Sequence, residues 1–393
     1  MWPSYYEFYS PVKILSGEKA LENLPHEIRF LNCSKPLLIT DKGLRKVGVF
    51  EIVLDALKEQ KLQDFVIFDD VPPDSDLEVC RQIANLHRET KRDIIVAVGG
   101  GSVIDSAKGA NILISENVTD LKNLAGANIL TKPLNPLIVV PTTSGTGSEA
   151  TCAAVVKDRE RNVKMLFVSP YLIPNTAILD VRMTETLPPL LTAATAMDAL
   201  THAIEAYISI QKNPISDVFA WKAIETIQRY LPLVLDEPKD KNGRLALANA
   251  SLMAGIAFSN AMVGLVHAIG HAVGAVSNVH HGICMNILLP HVLEYNFDKI
   301  KQELAELLLP FGGEEVLVTT PVEKRAEKFL ELVFEFREKI KEKAGIPNSL
   351  KEAGVTKEQF DLIAEVSLRD GSLSFNVKDA TKHDIIRILE KAF

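Results

Sequence analysis

The 393-residue sequence has only four cysteines, Cys33, Cys80, Cys152 and Cys284, and no CxxC pair among them. That spacing argues against a disulfide framework, and a chain this long buries enough apolar surface to fold without staples, so the cysteines read as reduced. It also lacks any block of positive charge. Its 43 Lys and Arg are outweighed by 51 Asp and Glu, and the net charge of -8 is spread along the chain. Phosphate backbones are bound by clustered cations, so no nucleic-acid partner is expected. The opening residues, Met1-Trp2-Pro3-Ser4-Tyr5-Tyr6-Glu7, do not follow the basic-then-apolar layout of a signal peptide, and a reduced, cytoplasmic protein is expected.

A third absence is local. Between Arg244 and Glu294 there is no Asp, Glu, Lys or Arg, and the stretch is apolar enough to suggest a membrane span. The same stretch carries His267, His271, His280 and His281 with Asn249, Ser251, Ser259, Asn260 and Asn278. Such groups are costly against lipid but fit buried helices around a polar site, so no membrane is expected.

The length favours two domains. Up to residue 182 short β-branched runs alternate with helical stretches, which predicts a Rossmann-like α/β domain with a parallel sheet. The predicted strands are Pro36 to Thr40, Phe65 to Phe68, Ile94 to Val98 and Leu137 to Val140. Residues 183–393 change to a 3.6-residue period and predict an all-helical domain. Its predicted helices run Ala193 to Ser209, Ser216 to Leu231, Leu245 to Phe258, Val263 to Val276, Val322 to Ala344 and Thr381 to Lys391. Lys301 to Pro321 reads as a mobile segment.

Gly99-Gly100-Gly101-Ser102 joins a predicted strand to a predicted helix, where glycine lets the backbone approach a phosphate at a helix N-terminus. Ile104 stands where a GxGxxG fingerprint has its last glycine, so the motif alone leaves an ordinary βα turn open. Two neighbours favour a nucleotide. Pro141-Thr142-Thr143-Ser144-Gly145-Thr146-Gly147-Ser148-Glu149 follows another strand with hydroxyls suited to hydrogen bonding, and Asp41 ends an earlier one. A carboxylate there accepts ribose hydroxyls and repels a 2′-phosphate, favouring NAD over NADP; capping of the next helix is the alternative.

Asp198 and His202 are four positions apart in a helical stretch and share a face. On its own such a pair is equally a surface ion pair. His267, His271 and His281 follow as H-x3-H-x9-H inside the charge-free stretch, where ring nitrogens need partners. Histidines with one carboxylate suit a borderline divalent ion such as Fe2+ or Zn2+. His26, His87 and His383 lie in polar surroundings and read as surface residues.

These segments resemble the iron-containing (group III) alcohol dehydrogenases. The likeness lies in GGGSVID from Gly99, PTTSGTGSE from Pro141, AATAMDALTHAIEAY from Ala193 and GLVHAIGHAVGAVSNVHHG from Gly264, and it extends over nearly the whole chain. The resemblance implies a metal, Fe2+ ahead of Zn2+, held by Asp198, His202, His267 and His281, with His271 assisting proton movement. It implies dinucleotide contacts from Asp41, Gly99, Gly100, Gly101, Ser102, Thr142, Thr143, Thr146 and Lys164. A small alcohol or diol and its aldehyde or ketone are the implied substrates, and a homodimer or larger homo-oligomer the implied assembly. A dehydroquinate synthase-like lyase and a zinc-dependent glycerol dehydrogenase are the alternatives on the same architecture. The lyase needs cations for an anionic substrate, and the charge-free stretch offers none. His280, Cys284-Met285-Asn286 and Asn376-Val377-Lys378-Asp379 depart from the family pattern and bear on substrate preference. Ala261, Met262, Val263, Phe258 and Leu265 suggest a modest, uncharged pocket.

Overall fold

The structure, a computed structural model, describes residues 2–161 and 163–393. The chain forms two compact units, Tyr9–Leu187 and Pro188–Phe393, the second joined by the N-terminal stretch up to Phe8.

In the first unit, β1 (Lys13–Gly17), α1 (Leu24–Phe30), β2 (Pro36–Ile39), α2 (Lys42–Lys46), α3 (Val49–Glu59), β3 (Val66–Phe68), α4 (Leu77–Glu89), β4 (Ile94–Gly99) and α5 (Gly101–Ser115) follow in order. After the two-residue β5 (Gly126–Ala127) come β6 (Leu137–Pro141), β7 (Ala153–Asp158), β8 (Val163–Val168) and β9 (Thr176–Asp180). Six strands form one parallel sheet in the order β1-β9-β6-β4-β2-β3. Successive side chains point to opposite faces, and both faces are covered, so the central strands are apolar throughout. Leu37, Ile39, Ile95, Ala97 and Val139 pack against α4 and α5, while Leu38, Ile94, Val96, Val98 and Val140 pack against α1 and α3. All four predicted strands are present. A second sheet, β5-β8-β7, whose β7 and β8 run antiparallel, is not among the predicted strands. Its strands carry Lys157, Lys164 and Asp158 among the apolar residues and do not stand out from loop.

The second unit is helical: α6 (Pro189–Ile208), α7 (Pro214–Asp236), α8 (Lys241–Ala261), α9 (Leu265–Ser277), α10 (His281–Thr319), α11 (Arg325–Ala344), α12 (Phe360–Ser367) and α13 (Lys382–Lys391). The helix starts are chemically marked. Asn213 accepts the N–H groups of Ile215 and Ser216 ahead of α7, with Pro214 at the first helical position. One expectation is overturned: Lys301 to Pro321 is not mobile chain but the distal part of α10, broken at Ile300 and Gly313. Leu304, Leu307, Leu308 and Phe311 are buried at helical spacing there and pack the segment into the core. His87 also departs from expectation, lying buried in the last turn of α4 rather than at the surface.

Among the described residues no single helix is long and apolar enough to cross a membrane; α8 and α9 pass that test only as a pair bent by 108°. At the bend Met262 has φ 64°, ψ 172°, a region that residues other than glycine rarely enter. The conformation is held from several sides. The Met262 N–H donates to Phe258 O, Ser209 Oγ donates to Ala261 O, and Asn213 Nδ2 donates to Asn260 O.

Candidate metal centre and nucleotide-binding turns

Asp198, His202 and Glu205 stand at positions i, i+4 and i+7 of α6 and so share one face. α9 brings His267 and His271 one turn apart, and His281 opens α10. Ligand atoms of Asp198, His202, His267 and His281 all lie within 4.8 Å of one another. Asp198 Oδ1 is 3.8 Å from His202 Nε2, 3.7 Å from His267 Nε2 and 3.3 Å from His281 Nε2. Asp198 Oδ1 and His267 Nε2 are buried and have no hydrogen-bond partner. Buried polar atoms without partners are costly, and one cation at the centre of the cluster relieves both. Burial pushes the Asp198 carboxyl up, but the surrounding histidines override it and hold it well below the usual carboxylate range. The donor set of three imidazoles and one carboxylate fits a divalent ion of the iron or zinc type.

The ring of His202 stacks on Phe258 at 4.3 Å and on His267 at 4.5 Å. His281 keeps 32% of its side chain exposed and His271 30%, so the cluster is open on that side. His271 is not among the four converging ligands. Its ring lies flat against His281 at 5.2 Å, and its Nδ1 is 2.8 Å from Asp370 Oδ2. Of the expected apolar pocket residues, Ala261 and Leu265 are buried in the core, while Met262 and Val263 are half-buried. Among the departures from the family pattern, His280 is exposed, and Asn286 is committed to Pro347 O and Asn348 Oδ1.

Two carboxylates outside the predicted site residues hold the histidines. Glu205 Oε2 lies 2.5 Å from His267 Nδ1, and Asp370 holds His271. Glu205 had a usable signal, its helical register with Asp198; Asp370 is about a hundred positions from its partner and had none.

In the first unit, the carboxyl ends of the neighbouring strands β2, β4 and β6 carry Asp41, the Gly99–Ser102 turn and the loop from Thr142. Ligands collect at such strand ends in open α/β sheets. The two turns touch. A Cβ at Gly100 would lie 3.3 Å from Thr143, and one at Gly101 3.0 Å from Thr146. Asp41 does cap α2, accepting the Leu44 N–H at 2.9 Å. Lys164 Nζ is 3.8 Å from Asp74 Oδ1, and the Asp74 N–H donates to Ser102 Oγ.

Beneath these turns lies a buried charged group. Asp105 accepts from Ser148 Oγ and the Val155 N–H, while Lys108 Nζ donates to Thr151 O and Ala153 O. Burial pushes the Glu149 carboxyl up to about 7 and Asp105 up to about 6, and lowers Lys108 to about 8. A carboxyl whose folded pKa exceeds its unfolded value binds its proton more tightly when folded, so stability falls as pH rises through that interval. For Glu149 the interval runs from 4.5 to about 7, a loss of about 3 kcal/mol at 1.36 kcal/mol per pKa unit. Glu149→Gln is therefore expected to gain stability relative to the unaltered chain between pH 5 and pH 8. Urea unfolding at both pH values checks this, and a constant difference between the two proteins would refute it.

Residues 11–181 match the family described as iron-containing alcohol dehydrogenase, and residues 192–393 match the C-terminal part of the Fe-containing alcohol dehydrogenase family. The chain is 37% identical to a 1,3-propanediol dehydrogenase of Klebsiella pneumoniae, over 99% of both chains. It is 35% identical to an NAD-dependent methanol dehydrogenase of Bacillus methanolicus, over 98% of this chain and 99% of that one. A solved 1,3-propanediol oxidoreductase superposes with a TM-score of 0.94 at 36% identity, covering 99% of this chain and 100% of that one.

Proposed function

The chain belongs to the iron-containing alcohol dehydrogenase family, and from that premise we propose an NAD-dependent, metal-dependent dehydrogenase that interconverts a small alcohol or diol and its aldehyde or ketone. The observation that carries the metal is the convergence of Asp198, His202, His267 and His281 around two buried atoms that lack hydrogen-bond partners. A divalent ion bound there supplies Lewis acidity toward an alcohol oxygen. Family membership and the third histidine favour Fe2+ over Zn2+. NAD, held at the turns of the first unit, would supply the hydride acceptor. The backbone of Gly99, Gly100, Gly101 and Ser102 would cradle its diphosphate, with Thr142, Thr143, Thr146 and Lys164 beside it.

Asp41 would accept a ribose hydroxyl through a carboxylate that also caps α2, and its charge disfavours a 2′-phosphate. The relative from Bacillus methanolicus, which is NAD-dependent, supports the same preference. His271, whose Nδ1 faces Asp370 Oδ2 on the open side of the cluster, would pass the alcohol proton outward. The assembly is a homodimer or larger, and the compartment the cytoplasm.

The deciding experiment is a panel of short alcohols, diols and aldehydes assayed with NAD and NADP on protein of measured metal content. Net NADH formation from primary alcohols or diols, faster than NADPH formation, is expected. No net cofactor reduction with any of them on metal-loaded protein would overturn the reading.

A further inference from the structure

We propose that Glu205 is a positioning residue for the metal centre, a carboxylate that fixes the tautomer and aim of His267 and thereby sets how tightly the ion is held. The inference rests on the reading that Asp198, His202, His267 and His281 bind a divalent ion. Glu205 is only 2% exposed, and no Lys or Arg pairs with it among the described residues. A buried carboxylate is costly without hydrogen bonds, and both oxygens of Glu205 are used. Oε2 faces His267 Nδ1, and Oε1 accepts the Val266 N–H at 2.7 Å. A carboxylate only accepts, so the proton between Glu205 and His267 sits on Nδ1. In the neutral imidazole that a metal requires, the lone pair is then left on His267 Nε2, and this is the buried atom 3.7 Å from Asp198 Oδ1 that has no hydrogen-bond partner.

The backbone is built around the same carboxylate. Val266 lies in the first turn of α9, where N–H groups have no partner inside the helix and negative charge is favoured. Just before it the chain passes Glu205 closely: a Cβ at Gly264 would stand 3.3 Å from Glu205 Oε1 and 3.1 Å from Asn376 Oδ1. Asn376 is held in turn by reciprocal hydrogen bonds with Asn296. One side chain of α6 thus fixes both the start of α9 and the imidazole one residue further on. Carboxylates that accept from the far nitrogen of a metal-bound histidine raise its basicity and fix its orientation, at typically 10–100-fold in metal affinity.

The test compares the unaltered full chain with Glu205→Ala and Glu205→Gln. Affinity for Co2+ and Zn2+ is measured by competition with a chelator, alongside the visible spectrum of the Co2+-loaded protein and urea unfolding of the metal-free protein. Glu205→Ala is expected to weaken both ions by about 10–100-fold. The isosteric Glu205→Gln keeps the shape of the site but accepts only one of the two N–H groups, so it should weaken them by about ten-fold and shift the Co2+ bands. It serves if the alanine variant does not fold. A role confined to capping α9 lowers metal-free stability and leaves the loaded spectrum unchanged, which would overturn the proposal. Affinities within two-fold of the unaltered chain would overturn it too. If the unaltered chain itself binds neither ion, the metal reading falls and this inference with it.

Discussion

Replacing His267 with Ala is expected to abolish metal retention and turnover together. Three effects act in one direction. The variant removes one of four converging donors, and it opens a cavity in a position only 2% exposed. It also strips Glu205 of its imidazole partner, so a buried carboxylate keeps only the Val266 N–H. An unsatisfied charged group of that kind costs more than the about 1–3 kcal/mol of a neutral one. Metal content by elemental analysis and the rate of NADH formation should fall in parallel, by about two orders of magnitude or more for the rate, the scale of losing one group that stabilises the transition state. Full activity with bound metal in this variant would sink the ligand assignment. Replacing His271, which lies outside the four-ligand group, should instead lower turnover while metal content stays at the level of the unaltered chain.

The contrast between these two histidines shows what could be read without coordinates. Spacing paired Asp198 with His202, and the charge-free stretch gave His267 and His281 a reason to seek a partner. The central strands were legible because both of their faces are buried, so β4 reads Ile94 to Val98 without a polar interruption. What escaped the sequence is tertiary. β7 and β8 are half-exposed, so their pattern mixes apolar and charged residues. The distal half of α10 contains Pro310 and a break at Gly313, which together hid a helix that buries Leu304, Leu307, Leu308 and Phe311. His87 sits among charged neighbours in sequence but faces inward from α4. The Asp105, Lys108 and Glu149 group was invisible for a different reason: its members look like surface residues, and only the fold buries Lys108 and Glu149 and brings Asp105, itself half-buried, against Ser148 and Val155.

Gly282→Ala is expected to cost nearly as much as the loss of a ligand, although a single methyl group is added. Gly282 is the second residue of α10, and a Cβ there would lie 2.1 Å from the Ala194 carbonyl oxygen and 2.6 Å from its carbon. Those are backbone atoms of α6, one turn before Asp198, so no side chain can swing aside and one helix must move by about an ångström. The same close approach allows His281 Nε2, one residue earlier, to come within 3.3 Å of Asp198 Oδ1. The strain of overpacking is about 1–3 kcal/mol, and the displacement also pulls His281 from the cluster. Loss of thermal stability together with loss of bound metal is therefore the expected result, read by a melting curve and elemental analysis on the same sample. Gly274→Ala provides the contrast within the neighbouring helix, because a Cβ there meets only Val279 O at 3.4 Å, an ordinary contact. It should leave metal content unchanged and be neutral or slightly stabilising, since alanine narrows the unfolded ensemble. If both variants keep their metal and melt alike, the contact between α6 and α10 is not what holds His281 in place.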